Sequence, residues 1–349
     1  MAHRIRIGCI GAGRYTRRVI IPSLVRAPGF ELAIVSNRSE RSAGEAASEF
    51  GVPRWTTRWR DVIDDRSIDA VVIGTPPQPH AEIAIAALQA DKHVLCQTRM
   101  AANIEDARAM AEAARTSGAR AMLVPPDSYV RGRRYIGHLV AGGALGPIRQ
   151  VLCSRYVPTV IDSKADLLAR QDERLFGVIN PLHLGLCWDS LEPWFGPAVR
   201  VLAHAQTFTP RRRDPSTGEL VNVGLADAIT ATAEMASGAT VVNAQSGVAI
   251  AGDDKIVIHG EDATVVYEAS GERLLRAGRG DTGLAPLEIP AEFEYRQQIA
   301  REFASLLTTG IQPVGSGFDD GLRNIAYLTA CHRSAAEGRW VGIAEILRS

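Results

Sequence analysis

Two glycines and a threonine near the N-terminus have the spacing of a phosphate-binding turn. Gly11, Gly13 and Thr16 follow a short apolar run and stand where a helix-like segment begins. In such a turn the first glycine permits the tight bend, and the second lets a pyrophosphate approach the backbone at the helix N-terminus. The third position is normally glycine or alanine, so we expect threonine to widen the helix–strand contact slightly. The motif predicts a dinucleotide site, to which the neighbouring Arg14 and Tyr15 contribute.

The residues after the second apolar run bear on which dinucleotide binds. The chain reads Ser36-Asn37-Arg38-Ser39 there, without an acidic residue. An acid would bond the ribose hydroxyls of NAD and repel a 2′-phosphate, whereas arginine attracts that phosphate. Asn37 and Arg38, with Arg41 nearby, therefore favour NADP as the cofactor. NAD is the alternative, in which Arg38 is an exposed residue that stacks on adenine.

Strand and helix patterns alternate over the first 125 residues and position these motifs. Short apolar runs separated by helices of about a dozen residues indicate βαβ units and a parallel, doubly wound sheet. We therefore predict an α/β Rossmann domain over residues 1–125, ending at Pro125-Pro126. The predicted strands are 5–10, 30–35, 70–73, 93–96 and 121–124, and the predicted helices are 14–26, 39–50, 80–90 and 104–117.

Residues 126–349 have a different character. Runs of strands without intervening helices predict an α+β domain with a mostly antiparallel open sheet, for substrate binding and oligomerisation. Its sheet exceeds what its own helices can cover, which predicts a homodimer or homotetramer. We expect Arg211-Arg212-Arg213 to lie in a solvated loop, and the helices 294–307 and 320–336 to pack back on the first domain. The predicted strands are 148–156, 199–206, 228–235, 240–246, 255–259 and 264–268.

Composition excludes several classes of protein. Of the 349 residues 46% are hydrophobic, and Lys plus Arg equals Asp plus Glu at 39 each, which argues against a nucleic-acid partner. The five cysteines are scattered without metal-ligand spacing, which is typical of a reducing compartment and predicts no metal. A strand-like run begins almost at once and no apolar stretch reaches membrane-spanning length, so we expect a cytoplasmic protein without a membrane partner. A small-molecule substrate is the expected ligand.

Five further segments carry a family pattern. They are 7–14 (IGCIGAGR), 74–84 (GTPPQPHAEIA), 91–95 (DKHVL), 143–148 (GALGPI) and 320–323 (DGLR). Over nearly its whole length the sequence resembles the glucose–fructose oxidoreductase, inositol dehydrogenase and MocA family. The resemblance implies an NAD(P)-binding Rossmann domain and an open-sheet domain that often makes the oligomer contact. It also implies that Thr75, Pro76 and His80 line the cofactor near its ribose and nicotinamide half, unless His80 is a helix N-terminal residue without a ligand.

The chain departs from that family at its catalytic lysine. The family's Glu-Lys-Pro motif is replaced by Gln97-Thr98-Arg99. Gln97 can still hydrogen-bond a ribose hydroxyl, but Thr98 cannot serve as a cationic proton donor. Arg99 offers a bidentate fork for a substrate carboxylate. The alternative is a surface arginine at the start of the next helix.

The family's second catalytic motif is also changed. Its aspartate position falls on His183 and its histidine position on Cys187. The two residues are one helical turn apart, so they share a face that by analogy looks toward the nicotinamide. His183 titrates near neutrality and could shuttle the proton that accompanies hydride transfer; alternatively it is an interior histidine and Cys187 a small filler. The remaining polar candidates are Tyr129, Tyr156 and Lys164.

Two functions follow from these patterns. The first is an NAD(P)-dependent oxidoreductase that acts on a small polyhydroxylated, cyclic or carboxylated substrate with a non-standard proton donor. The second is a dinucleotide-binding protein without net redox, either a cofactor-sensing regulator or a lyase or hydrolase that uses NAD(P) transiently.

Overall fold

A computed structural model describes residues 4–124, 130–177, 182–252, 254–293 and 299–349 of the chain. The strands are β1 Ile5–Ile10, β2 Phe30–Ser36, β3 Trp55–Thr56, β4 Ala70–Ile73, β5 His93–Gln97, β6 Ala121–Val124, β7 Ile148–Tyr156, β8 Ala198–Gln206, β9 Arg211–Arg213, β10 Leu220–Asn222, β11 Ala228–Met235, β12 Thr240–Ser246, β13 Lys255–Gly260, β14 Ala263–Glu268, β15 Arg273–Gly278, β16 Ala285–Pro286 and β17 Val341–Gly342. The α-helices are α1 Ile21–Val25, α2 Glu40–Glu49, α3 Arg60–Asp64, α4 His80–Gln89, α5 Ile104–Thr116, α6 Arg131–Ala141, α7 Glu173–Phe176, α8 Leu184–Phe195, α9 Ile299–Thr309, α10 Phe318–Glu337 and α11 Ile343–Arg348. The chain divides into two compact units, residues 1–125 with 296–322 and residues 126–295 with 323–349.

The first unit is built on a six-stranded parallel sheet in the order β3-β2-β1-β4-β5-β6. Strands β4 and β6 are buried along their whole length, as expected of a parallel sheet with both faces covered. The predicted doubly wound Rossmann fold is therefore confirmed. Strand β3, only two residues long, was not predicted.

Side-chain caps and one distant helix complete this unit. Ser39 accepts a hydrogen bond from the Ser42 amide at the start of α2, and Asn103 caps α5 in the same way. Helix α9 adds its apolar side to the core, where Phe303 stacks on Phe30 with 6.0 Å between ring centroids. The predicted helix 294–307 begins outside the described residues.

The second unit is built on a nine-stranded sheet in the order β16-β15-β14-β13-β7-β12-β11-β8-β17. Strands β7 and β12 are parallel and the other pairs are antiparallel, which confirms the predicted α+β class with a mostly antiparallel open sheet. Within the described part of the chain, no helix is both long and apolar enough to cross a membrane.

The expected solvated arginine loop is wrong only for its middle residue and its lack of regular structure. Residues 211–213 form β9; Arg211 and Arg213 are exposed, whereas Arg212 is only 2% exposed. Its guanidinium donates to the carbonyls of Asp162, Ala165 and Val160 at 2.6, 3.1 and 2.7 Å. Three carbonyl acceptors offset the cost of burying the charge. Arg212 therefore holds the segment 160–165 next to β9.

Side chains alternate between the two faces of the nine-stranded sheet. On β7, Val151 and Cys153 are buried, whereas Leu152 between them is 39% exposed. The strand register places Leu152 beside Val242 on β12 and Val257 on β13. Leu202, on β8, is also exposed on this sheet. The sheet therefore presents an apolar row on the face opposite the buried side chains.

Candidate dinucleotide site and polar cluster

The glycine turn after β1 has the geometry that a pyrophosphate needs. Gly11 has a φ of 85°, and a Cβ there would lie 2.5 Å from the amide nitrogen of Thr75. Only glycine fits that position. At Gly13, in contrast, a Cβ would meet only the Gly74 carbonyl oxygen, at 3.5 Å. The space beside Gly13 is therefore open at the beginning of the helical segment, where backbone amides and the helix dipole favour an anion.

Thr16 packs closely on a glycine of the neighbouring strand end. A Cβ at Gly74 would lie 2.0 Å from Thr16 Oγ1 and 2.5 Å from the Gly11 carbonyl oxygen. Thr16 is fully buried in a π-helical turn, Thr16–Ile20, and its hydroxyl donates to Gln97 Oε1 at 3.2 Å. The missing side chain of Gly74 makes room for the threonine, so the expected widening of the helix–strand contact is not observed.

Asn37 braces this turn from the end of β2. Its Oδ1 accepts a hydrogen bond from the Ala12 amide at 2.8 Å, and its Nδ2 donates to the Ser42 carbonyl at 2.9 Å. Arg38, the next residue, is exposed. Arg14 is also exposed, whereas Tyr15 is partly buried. Sequence reasoning missed the bracing role of Asn37 and treated it only as the residue that replaces an acid.

The segment after β4 offers an unsatisfied polar atom beside the glycine turn. Thr75 Oγ1 is buried and has no hydrogen-bond partner among the described residues, and Pro76 is exposed. A buried hydroxyl without a partner is costly unless a ligand satisfies it. The open space at Gly13 and the hydroxyl of Thr75 therefore fit a dinucleotide laid across the carboxyl ends of β1 and β4.

His80 is held by main-chain carbonyls. Its ring is 1% exposed; Nε2 lies 2.8 Å from the Thr75 carbonyl oxygen, and Nδ1 lies 3.1 Å from those of Arg99 and Met100. Burial lowers the pKa of His80, although these carbonyls favour the protonated ring. Each ring nitrogen thus faces a main-chain carbonyl acceptor, and Nδ1 also lies 3.4 Å from the Cys96 thiol. The ring ties the segment after β4 to the segment after β5; its contact with a cofactor stays a prediction from the resemblance.

The three residues that replace the family's Glu-Lys-Pro motif follow β5. Gln97 and Thr98 are half-buried, and the Thr98 hydroxyl donates to the Val124 carbonyl at 3.0 Å. The peptide bond between Thr98 and Arg99 is cis, and the Arg99 side chain is half-buried. Because its hydroxyl proton is engaged by a main-chain acceptor, Thr98 cannot also donate that proton to a substrate.

His183 stands at the beginning of α8 in the second unit. Its amide donates to Gln245 Oε1 at 3.1 Å, and its carbonyl accepts from the Cys187 amide at 3.0 Å. The His183 side chain is half-buried, whereas Cys187 is 1% exposed. A hydrogen bond from the Cys153 thiol to Cys187, together with burial, holds the pKa of Cys153 well above its usual range. Cys187 therefore points into the sheet as an interior side chain, and of this pair only His183 remains a candidate for proton transfer.

Polar side chains also lie on the buried face of the sheet, beside the Gln245 that accepts the His183 amide. Arg155 on β7 is the register partner of Gln245 on β12 and forms an ion pair with Asp254. Arg133, on α6, is 3% exposed and approaches the same carboxylate at 3.7 Å. Sequence reasoning missed this cluster, although polar residues at the buried positions of alternating strands are a recognisable signal.

The other candidate proton donors are less favourably placed. Tyr129 lies outside the described residues. Tyr156 follows Arg155 on β7, so it points to the opposite face, and it is 38% exposed. Lys164 is exposed in a loop.

Comparison with known proteins identifies the first unit. Residues 5–124 match a sequence model described as an oxidoreductase family with an NAD-binding Rossmann fold. The chain is 36% identical over 113 residues to 1,5-anhydro-D-fructose reductase of Ensifer adhaerens, a match that covers 32% of this chain and 34% of that protein. It is 42% identical over 80 residues to levoglucosan dehydrogenase of Pseudarthrobacter phenanthrenivorans, covering 23% and 20%. The matched part of the chain thus spans about a third or less of these curated relatives.

Solved structures share the fold over the full length. Levoglucosan dehydrogenase in complex with NADH and L-sorbose aligns with a TM-score of 0.87 at 23% identity, covering 99% of this chain and 100% of that one. An oxidoreductase domain protein from Kribbella flavida aligns with a TM-score of 0.87 at 24% identity, covering 98% and 99%. Residues 5–124 therefore match the NAD-binding Rossmann part of an oxidoreductase family, and the chain as a whole has the same fold as these solved structures.

Proposed function

We propose that the protein is an NAD(P)-dependent oxidoreductase that acts on a small polyhydroxylated, cyclic or carboxylated substrate. The observation that carries the proposal is the glycine turn, where Gly11 and Gly74 admit no side chain and Gly13 faces open space. The family supports the same activity, since its named relatives include reductases and dehydrogenases of sugars and polyols.

In this proposal each unit has a separate task. The first unit binds the dinucleotide through the amides of the glycine turn and the hydroxyl of Thr75, and that cofactor supplies hydride chemistry when bound. The second unit holds the substrate near His183. Hydride transfer to a carbonyl leaves an alkoxide, and the imidazole of His183 donates the proton that neutralises it. Thr98 does not share this role, because its hydroxyl is bonded to the Val124 carbonyl.

The proposed cofactor is NADP in preference to NAD. Arg38 is exposed directly after the end of β2, and its neighbour Asn37 uses both side-chain polar atoms within the turn. A 2′-phosphate placed there would therefore meet the Arg38 guanidinium, and not the carboxylate that an acidic residue would present at this position. We expect NADPH to bind more tightly than NADH in a fluorescence titration, and Arg38→Ala to remove most of the difference. Equal affinities in the unmodified protein would contradict the preference for NADP.

A reaction without net redox is the second candidate. The observation that favours it is the engaged hydroxyl of Thr98, at the position where relatives carry their catalytic lysine. Cofactor deuterated at nicotinamide C4 separates the two functions when 1,5-anhydro-D-fructose and a panel of cyclic polyols and their ketones are supplied. Net oxidoreduction leaves deuterium in the reduced product. A transient use of the cofactor converts the substrate without net oxidation or reduction and leaves the deuterium on the cofactor, whereas a purely regulatory protein converts no substrate.

A further inference from the structure

The turn that carries His183 has a strained backbone. Leu182, the residue before it, has a φ of 52°, in the left-handed region that a leucine rarely adopts. Such a conformation costs free energy and persists only where the surrounding structure holds it in place. The contacts of Leu182 and His183 with the end of β12 therefore deserve a functional explanation.

The first contact is the packing of Leu182 against the chain directly after β12. A Cβ at Gly247 would lie 2.7 Å from Leu182 Cδ2 and 2.6 Å from Val160 Cγ2, so the missing side chain makes room for both. Val160 is fixed at the same place, because its amide donates to the Gly247 carbonyl at 2.9 Å. The leucine is thus held against main chain that continues from a central strand of the sheet.

The second contact is the hydrogen bond between Gln245 and the His183 amide. Gln245 is almost fully buried; its Oε1 accepts that amide at 3.1 Å, and its Nε2 donates to Asn243 Oδ1 at 3.1 Å. A main-chain amide can only donate, so the orientation of the glutamine side chain is fixed and both of its ends are bonded. Loss of Gln245 Oε1 would leave the His183 amide without this acceptor, which is costly in a buried position.

We propose that Gln245 is a positioning residue, which holds the main chain of His183 and thereby fixes where its imidazole lies for proton transfer. The proton transfer in this statement rests on the proposed function, whereas the hold on the turn does not. A proton donor must lie within hydrogen-bond reach of its acceptor, and a displacement of about 1 Å can cost about a hundredfold in rate. A change at Gln245 should therefore act on kcat and not on cofactor binding.

Two substitutions separate the hydrogen bond from the volume of the side chain. Gln245→Met has a similar shape but offers no oxygen acceptor, whereas Gln245→Glu keeps an acceptor for the His183 amide. The glutamate cannot donate to Asn243 Oδ1, but Asn243 Nδ2 has no partner among the described residues, so the asparagine amide can turn and donate instead. Arg155, the register partner of residue 245 on β7, places a positive charge on the adjacent strand.

Kinetics with NADPH and the substrate found in the panel above give the first test. We expect kcat to fall about tenfold or more in Gln245→Met and to stay within about threefold in Gln245→Glu, with the affinity for NADPH unchanged in both. Ser334→Ala is the matched control, since Ser334 is also fully buried in the second unit and its hydroxyl accepts the Ala203 amide at 2.9 Å. It should lower stability and leave kcat unchanged. A kcat in Gln245→Met equal to that of the control, or equally low in Gln245→Glu, would overturn the proposal.

Hydrogen exchange at the His183 amide gives a second test that needs no turnover. Labelling with 15N-histidine gives one amide signal for each of the eight histidines, and the His183 signal is the one missing in His183→Asn. This amide should exchange about tenfold or more faster in Gln245→Met than in the unmodified protein or Gln245→Glu. An unchanged exchange rate would refute the hold on the turn. If Gln245→Met does not fold, Gln245→Asn, which is too short to reach the amide, takes its place. Faster exchange without turnover of any sugar in the panel would refute the oxidoreductase activity and leave the hold on His183 standing.

Discussion

The contact between Gly74 and Thr16 leads to a quantitative prediction for the dinucleotide site. In Gly74→Ala the new methyl group would lie 2.0 Å from Thr16 Oγ1, 2.5 Å from the Gly11 carbonyl oxygen and 3.0 Å from Thr16 Cβ. The hydroxyl could rotate away only by losing its bond to Gln97. The carbonyl belongs to the glycine turn itself, so it cannot move without changing the cofactor site.

The expected cost lies at the upper end of the range for overpacking. Such substitutions destabilise by about 1–3 kcal/mol; because one close contact can be relieved only by breaking a hydrogen bond and the other only by moving the backbone, we expect about 3 kcal/mol. For a unit of this size that corresponds to a fall in Tm of about 6–12 °C by scanning calorimetry. We also expect a loss of dinucleotide affinity of about tenfold or more, since the Gly11 peptide must shift.

Two further variants separate this clash from a general effect of adding a methyl group. In Gly118→Ala no atom lies within 4 Å of the new Cβ, so the change should be within about 0.5 kcal/mol. Adding Thr16→Ala to Gly74→Ala removes the 2.0 Å contact and leaves the 2.5 Å contact, which predicts partial recovery of stability. If Gly74→Ala behaves like Gly118→Ala in both Tm and cofactor titration, the close packing described above is wrong.

Three other changes test the remaining sites. His183→Asn should retain cofactor binding and lower turnover about a hundredfold or more; an unchanged rate and pH profile would make the histidine structural. Because burial lowers the pKa of His80, the folded state binds fewer protons than the unfolded chain, and stability should fall as pH drops below about 6.5. His80→Gln should weaken the pH dependence of the free energy of unfolding, measured by urea unfolding at several pH values. An unchanged pH dependence would contradict the lowered pKa of His80. Leu152→Lys puts a charge into the exposed apolar row and should convert the predicted dimer or tetramer into a 37.6 kDa monomer, measured by light scattering. If the unmodified protein is already a monomer, the predicted oligomer is wrong.

Elements with strong local signals were predictable from the sequence. Strand β1 has the predicted bounds, because a continuous apolar run before a glycine turn has few other structures available. Strand β15, Arg273–Gly278, was missed because two of its six residues are arginines and its apolar residues do not alternate clearly. The burial of Arg212 was missed for a different reason. Its three carbonyl partners belong to a segment about 50 residues earlier in the chain, so no local sequence pattern indicates them.

The candidate site shows the same division between local and distant information. The glycine turn was predicted from spacing, but the fit of Thr16 depends on Gly74, 58 residues later on another strand. Likewise, the imidazole of His80 was assigned to the cofactor only from the family resemblance. Its carbonyl partners lie on the segment after β5, which becomes its neighbour only when the sheet forms.

The role proposed for His183 in the second unit is linked to the threonine that stands at the lysine position of the first unit. A catalytic lysine supplies both a transferable proton and a positive charge beside the substrate. Thr98 supplies neither, since its hydroxyl bonds the Val124 carbonyl. In the proposed scheme His183 provides the proton. This scheme has a testable consequence: His183→Asn should change both the pH profile of turnover and kcat.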